Sequence, residues 1–368
     1  MSRTPDLPDA FQEARAADEP FWQAQEKRVQ GTTGQPACTL SGISTGFIRM
    51  PGDLAVVVHG EDECASCFLH YGPNAHRFFC TGLTEQHFVT GETGARLERC
   101  LRLVCEEVRP EALFVLGACP VEVIGDRFET VVDRVQQDYP HVPMRALHTS
   151  GLKLGSQTAM LDWMYSTLVS LPTKAPVDPA WRRRIAEAGF DTVDAFLSLS
   201  PEALLARHRE AAALSGGEAL DREACVAFLG LPDRRDLGGY VAEWDDLLAE
   251  AGLTSLGDFP YGATLDDWRA ITHAKAVFVV DRGNYPKTVS ALEAAGVTVI
   301  DVPLPVGLEA TERFYRTIGE TYGVTEALEA ALVASRARAE AAVAAFREAH
   351  GGLRMAMGLR MLNNYRTD

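Results

Sequence analysis

The feature that most constrains this chain is a rhythm. Short, almost wholly apolar runs end in glycine- or cysteine-bearing loops, and segments with helical spacing follow them. LAVVVHG (54–60), ALFVLGACP (112–120) and MRALHTSG (144–151) read as buried strands. TGARLERCLRLVCEEVRP (93–110), EVIGDRFETVVDRVQQDYP (122–140) and SQTAMLDWMYSTLVSL (156–171) read as the helices. A strand that is apolar at every position has both faces covered, which is the habit of parallel sheets. Strand, loop, helix, strand repetition builds such a sheet by right-handed crossovers. The expected class is α/β, with stacked Rossmann-like domains and parallel sheets.

The rhythm lapses and returns. TKAPVDPAW opens a stretch that is charged, Ala-rich and without a strand candidate, so 173–222 reads as a helical insertion. Strand candidates resume with CVAFLGL (225–231), KAVFVVD (275–281) and VTVIDVPLPVG (297–307). Helices are expected at 238–253, 266–274, 285–296, 310–323 and 325–352. The predicted layout is an N-terminal arm at 1–35, a first Rossmann-like domain at 36–172, the insertion, and a second domain at 223–352. LRMAMG reads as the first strand of another unit, so 353–368 opens a third domain that is truncated, absent or supplied by another chain.

Composition narrows the function. No run of 18 apolar residues appears, so nothing is expected to span a bilayer. The acidic start lacks an apolar h-region, which argues for a cytoplasmic protein without a secretory signal. The formal charge of −16 repels phosphate backbones and so disfavours nucleic acid as a partner. It suits a basic protein partner. Eight cysteines without an export signal suggest reduced thiols or metal ligands, not a disulfide framework.

Three of those cysteines sit at expected strand ends. Cys38 precedes the first strand, Cys64 follows it in HGEDECASC, and Cys119 follows the second in LGACPVEVIGD. In a doubly wound sheet the carboxyl ends of the strands share one edge, where ligands bind. Spacings of 26 and 55 positions are too long for a zinc knuckle and suit a cluster assembled in space. Thiolates select zinc or iron–sulfur. On spacing alone, both ligation and buried thiols stay open. Cys100 and Cys105 lie on an amphipathic helix and Cys225 opens a strand, so all three read as core. Cys80, in RFFCTG, is ambiguous. Cys67 makes a CxxC with Cys64, but no second CxxC completes a zinc site. His59 reads as packing at a strand end, and Asp62 as a solvated loop acid. His70, His76 and His87 are scattered. GLPDRRDLGG (230–239) is neither GxGxxG nor a Walker motif.

The order Cys38, then HGEDEC ending at Cys64, then TGLTEQHFVTGE, then GACPVEVIGD with Cys119, resembles component 1 of nitrogenase and nitrogenase-like oxidoreductases. CVAFLG, WDDLLAEAGL, FPYGATLDDW, AKAVFVVD and VPLPVGLEATERFYRTIG follow that family's second domain in order, and the likeness spans about 35–360 outside the helical insertion. The resemblance implies that Cys38, Cys64 and Cys119 ligate an interface iron–sulfur cluster, [4Fe-4S] or larger and P-cluster-like, shared with a second chain. It implies that Gly117 and Gly125 let backbone approach the cluster. Glu85, in GLTEQHF, matches a motif of many members, yet reads as a helix cap or solvated carboxylate. The implied partners are a homodimeric or paired component 1 chain and an ATP-dependent Fe–S reductase. The implied activity is electron transfer to a bound substrate. A scaffold for cluster or cofactor assembly is the alternative. VVDRGNY lacks the cysteine that the molybdenum enzyme offers after the equivalent strand, so a MoFe-type cofactor is not expected.

Overall fold

A computed structural model of the chain describes residues 38–50, 52–66, 77–150, 157–174, 176, 220–231, 240–260 and 263–351. The N-terminal arm, most of the helical insertion, Cys67, His70, His76, positions 232–239 and LRMAMG lie outside the described residues.

The first sheet is entered through α1 (Thr39–Arg49). It runs β1 (Leu54–His59), α2 (Asp62–Ser66), β2 (Phe78–Cys80), α3 (Glu85–Thr90), α4 (Thr93–Leu103), β3 (Ala112–Gly117), α5 (Cys119–Val123), α6 (Phe128–Asp138) and β4 (Met144–His148). Helix α7 (Gln157–Val169) follows. The second sheet runs β5 (Cys225–Leu229), α8 (Tyr240–Glu250), β6 (Thr254–Phe259), α9 (Leu265–Ala270), β7 (Ala276–Val279), α10 (Pro286–Ala294) and β8 (Thr298–Asp301). Helices α11 (Leu308–Tyr322) and α12 (Thr325–His350) come last. Both sheets are four-stranded and parallel, ordered β2-β1-β3-β4 and β6-β5-β7-β8, so the same winding occurs twice.

Alternation along the strands sorts the core. Leu54, Val56 and Val58 of β1, with Ala112, Phe114 and Leu116 of β3, pack on α1 and α7. Ala55 and Val57, with Leu113 and Val115, face the opposite way onto α4 and α6. In the second sheet Cys225, Ala227 and Leu229 join the cluster that contains α7, while Val226 and Phe228 meet Phe314 and Ile318 of α11. One apolar layer, built from α1, α7, α9 and α10, therefore lies between the two sheets. At about 1.5–3 kcal/mol for each large side chain fully buried, this shared layer is the main favourable term holding the sheets together.

The sequence reading departs from this fold at the α5–α6 turn, at β2, β6 and α1, and at the end of α4. The helix expected at 122–140 is two helices, because Gly125 turns the chain at φ +72° between α5 and α6. Strands β2 and β6 and helix α1 were not expected. The end of the helix expected at 93–110 widens into a π turn at Val104–Val108. At the far end of the chain, residues 340–351 are all exposed, with Val343 and Phe346 among them.

Candidate metal centre at the carboxyl edge of the first sheet

Each of the three proposed ligands begins or follows an element at one sheet edge. Cys38 is the N-cap residue of α1, its carbonyl accepting from the Gly42 N–H (3.2 Å), and it is exposed. Cys64 sits in the single turn of α2, just after β1, with its N–H on the Glu61 carbonyl (3.1 Å). Cys119 opens α5 directly after β3, with Pro120 in the first turn, where proline's missing N–H costs nothing. Cys64 and Cys119 are partly exposed.

The loops are tied to one another. A Cβ on Gly60 would lie 2.5 Å from the Ala118 Cβ and 4.0 Å from the Cys64 Cβ, so this glycine is where the Cys64 and Cys119 loops touch. The Ala118 N–H donates to the His59 carbonyl (3.0 Å). Thr149 Oγ1 donates to the Gly117 carbonyl (2.7 Å), and Thr39 Oγ1 donates to the Thr149 carbonyl (2.6 Å), which brings the start of α1 to the same edge. Gly60 was missed in the sequence. Its only signal there is that it ends the apolar run.

The two glycines singled out earlier each have a local role. A Cβ on Gly117 would lie 2.6 Å from the Phe128 ring, so its bareness makes room for that ring. Gly125 is exposed, with open space where a Cβ would go, and its positive φ is what the α5–α6 turn needs.

The remaining described cysteines differ in environment. Cys105 and Cys225 are buried, while Cys80 and Cys100 are partly buried against core. Burial pushes each of these four thiols up to about 11, which keeps them protonated and poor ligands at neutral pH. Cys80 Sγ also approaches the Glu61 carbonyl (3.4 Å) and is approached by the Gly82 N–H (3.5 Å). Glu85 is exposed at the first position of α3, behind the N-cap Thr84, and His87 completes a capping box there. Asp62 is exposed.

His59 is fully buried. Its Nδ1 lies 3.2 Å from Thr81 Oγ1 and its Nε2 3.5 Å from Asp126 Oδ2. The neighbouring imidazole holds the Asp126 carboxyl below its ordinary range. On the other side of the sheet edge, His148 lies between Glu129 and Glu122.

Among the described residues no group of three or more His, Cys, Asp or Glu side chains forms a site for a single metal ion. An iron–sulfur cluster makes a different demand, since its thiolates go to different irons. Soft, partly exposed thiols on one edge, with a side-chain-free position between two of their loops, fit that group in donor chemistry.

Comparison with known proteins places the chain. The model of the family "Nitrogenase component 1 type Oxidoreductase" matches residues 38–360. The light-independent protochlorophyllide reductase subunit N of Rhodopseudomonas palustris (strain TIE-1) is 39% identical over 340 residues, covering 90% of this chain and 67% of that protein. The nitrogenase iron-molybdenum cofactor biosynthesis protein NifE of Sinorhizobium fredii is 34% identical over 104 residues, which is 26% of this chain and 21% of that relative. A solved structure described as "Nitrogenase Cp1 at pH 5" superposes with a TM-score of 0.59 at 17% identity, over 84% of this chain and 57% of the other, and so shares the fold. No helix among the described residues is long and apolar enough to cross a membrane. The chain belongs to the nitrogenase component 1 type oxidoreductases.

Proposed function

We propose that this protein is a cytoplasmic, nitrogenase-like component 1 subunit that holds an iron–sulfur cluster on Cys38, Cys64 and Cys119 at an interface with a second component 1 chain. It takes electrons from an ATP-dependent Fe–S reductase and passes them to a bound substrate. The observation that carries this reading is the contact at Gly60, which brings the Cys64 and Cys119 loops together. When bound, the cluster supplies one-electron storage at low potential. The chain's own residues set its surroundings. Cys38, Cys64 and Cys119 provide three thiolates, and a four-iron cubane needs four ligands, so a further ligand comes from the second chain. Val123 and Ile124, which follow Cys119, and Val89 on α3 are large apolar side chains left in solvent. They suit coverage by that second chain, which keeps water off the edge. Gly125 serves by turning the chain away after α5, and Gly117 by seating Phe128.

The second reading is a non-catalytic scaffold for assembly or transfer of a cluster or cofactor. At the edge of the second sheet Asp281 and Arg282 follow β7 in place of a cysteine, with Arg282 engaged by Asp301 (2.9 Å) and Glu293 (3.0 Å), which suits either a scaffold or an enzyme that takes its substrate in a cavity. Anaerobic purification, with iron and labile sulfide assayed and native mass measured, tests the common core. The expected product is a brown oligomer. A colourless monomer would refute it. ATP-dependent turnover with an Fe–S reductase then separates enzyme from scaffold.

A further inference from the structure

We propose that His148, set between Glu129 and Glu122, takes up a proton when the cysteine edge gains an electron; this inference rests on the cluster reading above.

The register of the first sheet puts His59, Gly117 and His148 in one row at its carboxyl edge. Partners in register project to the same face of a sheet, so the two imidazoles flank a position with no side chain. The Phe128 ring fills it, with its centroid 5.9 Å from the His59 ring and 4.9 Å from the His148 ring. The ring separates His148 from the His59–Asp126 pair. The other face of His148 stacks on Trp163 (centroids 6.1 Å, 13°), and Lys287 Nζ lies 5.9 Å from that indole. Among the described residues these are the charged and titratable groups in contact with the ring or its stacking partner, together with the two carboxylates near its nitrogens.

Those carboxylates define a direction. Glu129, on α6, bonds His148 Nε2, and Glu122 Oε1, on α5, stands 3.6 Å from Nδ1. Side-chain exposure falls inward, from 41% at Glu129 through 24% at His148 to 1% at Glu122. Glu122 Oε1 also accepts the Ser150 N–H (3.1 Å), which fixes α5 to the end of β4. Cys119 opens that same helix. A protonatable ring thus stands between partly exposed Glu129 and the helix that carries one of the proposed ligands.

An imidazole bonded to one carboxylate and 3.6 Å from a second gains proton affinity when negative charge is added nearby. The step balances. One electron arrives from a one-electron donor, one proton arrives from solvent by way of Glu129, and the charge of the edge is unchanged. On oxidation both leave.

The test is a midpoint potential measured from pH 6 to 9.5 on the anaerobically loaded full chain, using dithionite and dye mediators. Wild-type protein is expected to show a window in which the reduction equilibrium changes tenfold per pH unit, about 59 mV for a one-electron couple. His148→Gln should flatten that slope while keeping its iron and its paramagnetic resonance signal. Glu129→Gln removes an adjacent negative charge, so its window should move to lower pH. A His148→Gln protein that keeps the slope overturns the proposal. If that variant loses iron, the Glu129→Gln protein decides, and an unmoved window overturns it. Wild-type protein with a cluster but a pH-independent potential sinks this inference alone. Wild-type protein that takes up no iron sinks it together with the cluster reading.

Discussion

Asp162, in the helix between the two sheets, caps α10 of the second sheet by way of Thr288 in its first turn. Its carboxylate accepts from the backbone N–H of Lys287 (2.8 Å) and Thr288 (2.9 Å) and from the Thr288 hydroxyl (2.7 Å). Asp162 and Thr288 are buried. The first N–H groups of any helix lack partners inside it, and the N-cap of α10, Tyr285, provides no side-chain bond. A residue from α7 provides them instead. Asp162→Ala should therefore destabilise the chain by about 2–4 kcal/mol, since it leaves buried donors unmade. Urea unfolding measures this, and a loss under about 0.5 kcal/mol would count against it.

Gly60→Ala should separate the Cys64 and Cys119 loops. The added methyl would sit 2.5 Å from the Ala118 Cβ, closer than any relaxed contact, with the Ala118 Cα 3.9 Å away. Overpacking of this kind costs about 1–3 kcal/mol. Iron retained after anaerobic loading should fall sharply, while Gly125→Asn, in open space at a positive φ that asparagine tolerates, should leave iron unchanged. Equal iron in the two variants would remove Gly60 from the site.

Serine at Cys38, Cys64 or Cys119 should abolish or sharply reduce bound iron. Alanine at Cys100 or Cys105 should cost on the order of 1 kcal/mol, as a small cavity does, and leave iron unchanged. Iron and sulfide assays on the five proteins decide the matter. Parallel loss in all five would mean misfolding, not ligation.

Thiol reactivity should follow exposure. Thiols pushed up to about 11, those of Cys80, Cys100, Cys105 and Cys225, are thiolate in only about one part in a thousand at pH 8. Exposed Cys38 should be alkylated first in the metal-free protein, and buried Cys105 and Cys225 only on unfolding. A pulse of iodoacetamide read by peptide mass spectrometry gives the order.

Acid should find Asp126. Its folded-state carboxyl is held below the unfolded value chiefly by His59, so the stability it contributes is present above the unfolded carboxyl range, near pH 4, and is lost as pH falls through its lower folded value. Asp126→Asn should flatten that acid limb of the stability curve. Unchanged steepness between pH 5 and 3 in chemical unfolding would assign the limb to other carboxylates.

Much of the fold was legible because buried parallel strands write themselves as apolar runs. β1, β3, β4, β5, β7 and β8 fall within the runs expected for them. β6 did not announce itself, since TSLGDF carries Thr, Ser, Gly and Asp into a buried strand, with Asp258 almost fully covered. β2 is three residues long, too short for periodicity to register. α1 is rich in Ser, Thr and Gly, which read as loop, yet Ile43 and Phe47 bury fully. Cys38, expected in a loop before β1, is separated from that strand by α1, but that Cys64 and Cys119 follow strands could be read directly. The role of Gly60 could not, because it depends on Ala118 arriving from another strand. His148 was equally hidden, since its company with Glu122, Glu129 and Phe128 is a product of register and of the α5–α6 turn.

The exposed run at 340–351 has a consequence for how this chain loses structure. Among the described residues those turns of α12 have only their own ladder to hold them, and isolated helices below about 12–15 residues are marginal in water. Their amides should trade hydrogen for deuterium far sooner than those of α11, whose Phe314, Tyr315 and Ile318 are buried. Among the described helices a protease should nick there first, and the two sheets, anchored elsewhere, should survive that cut as a folded remnant.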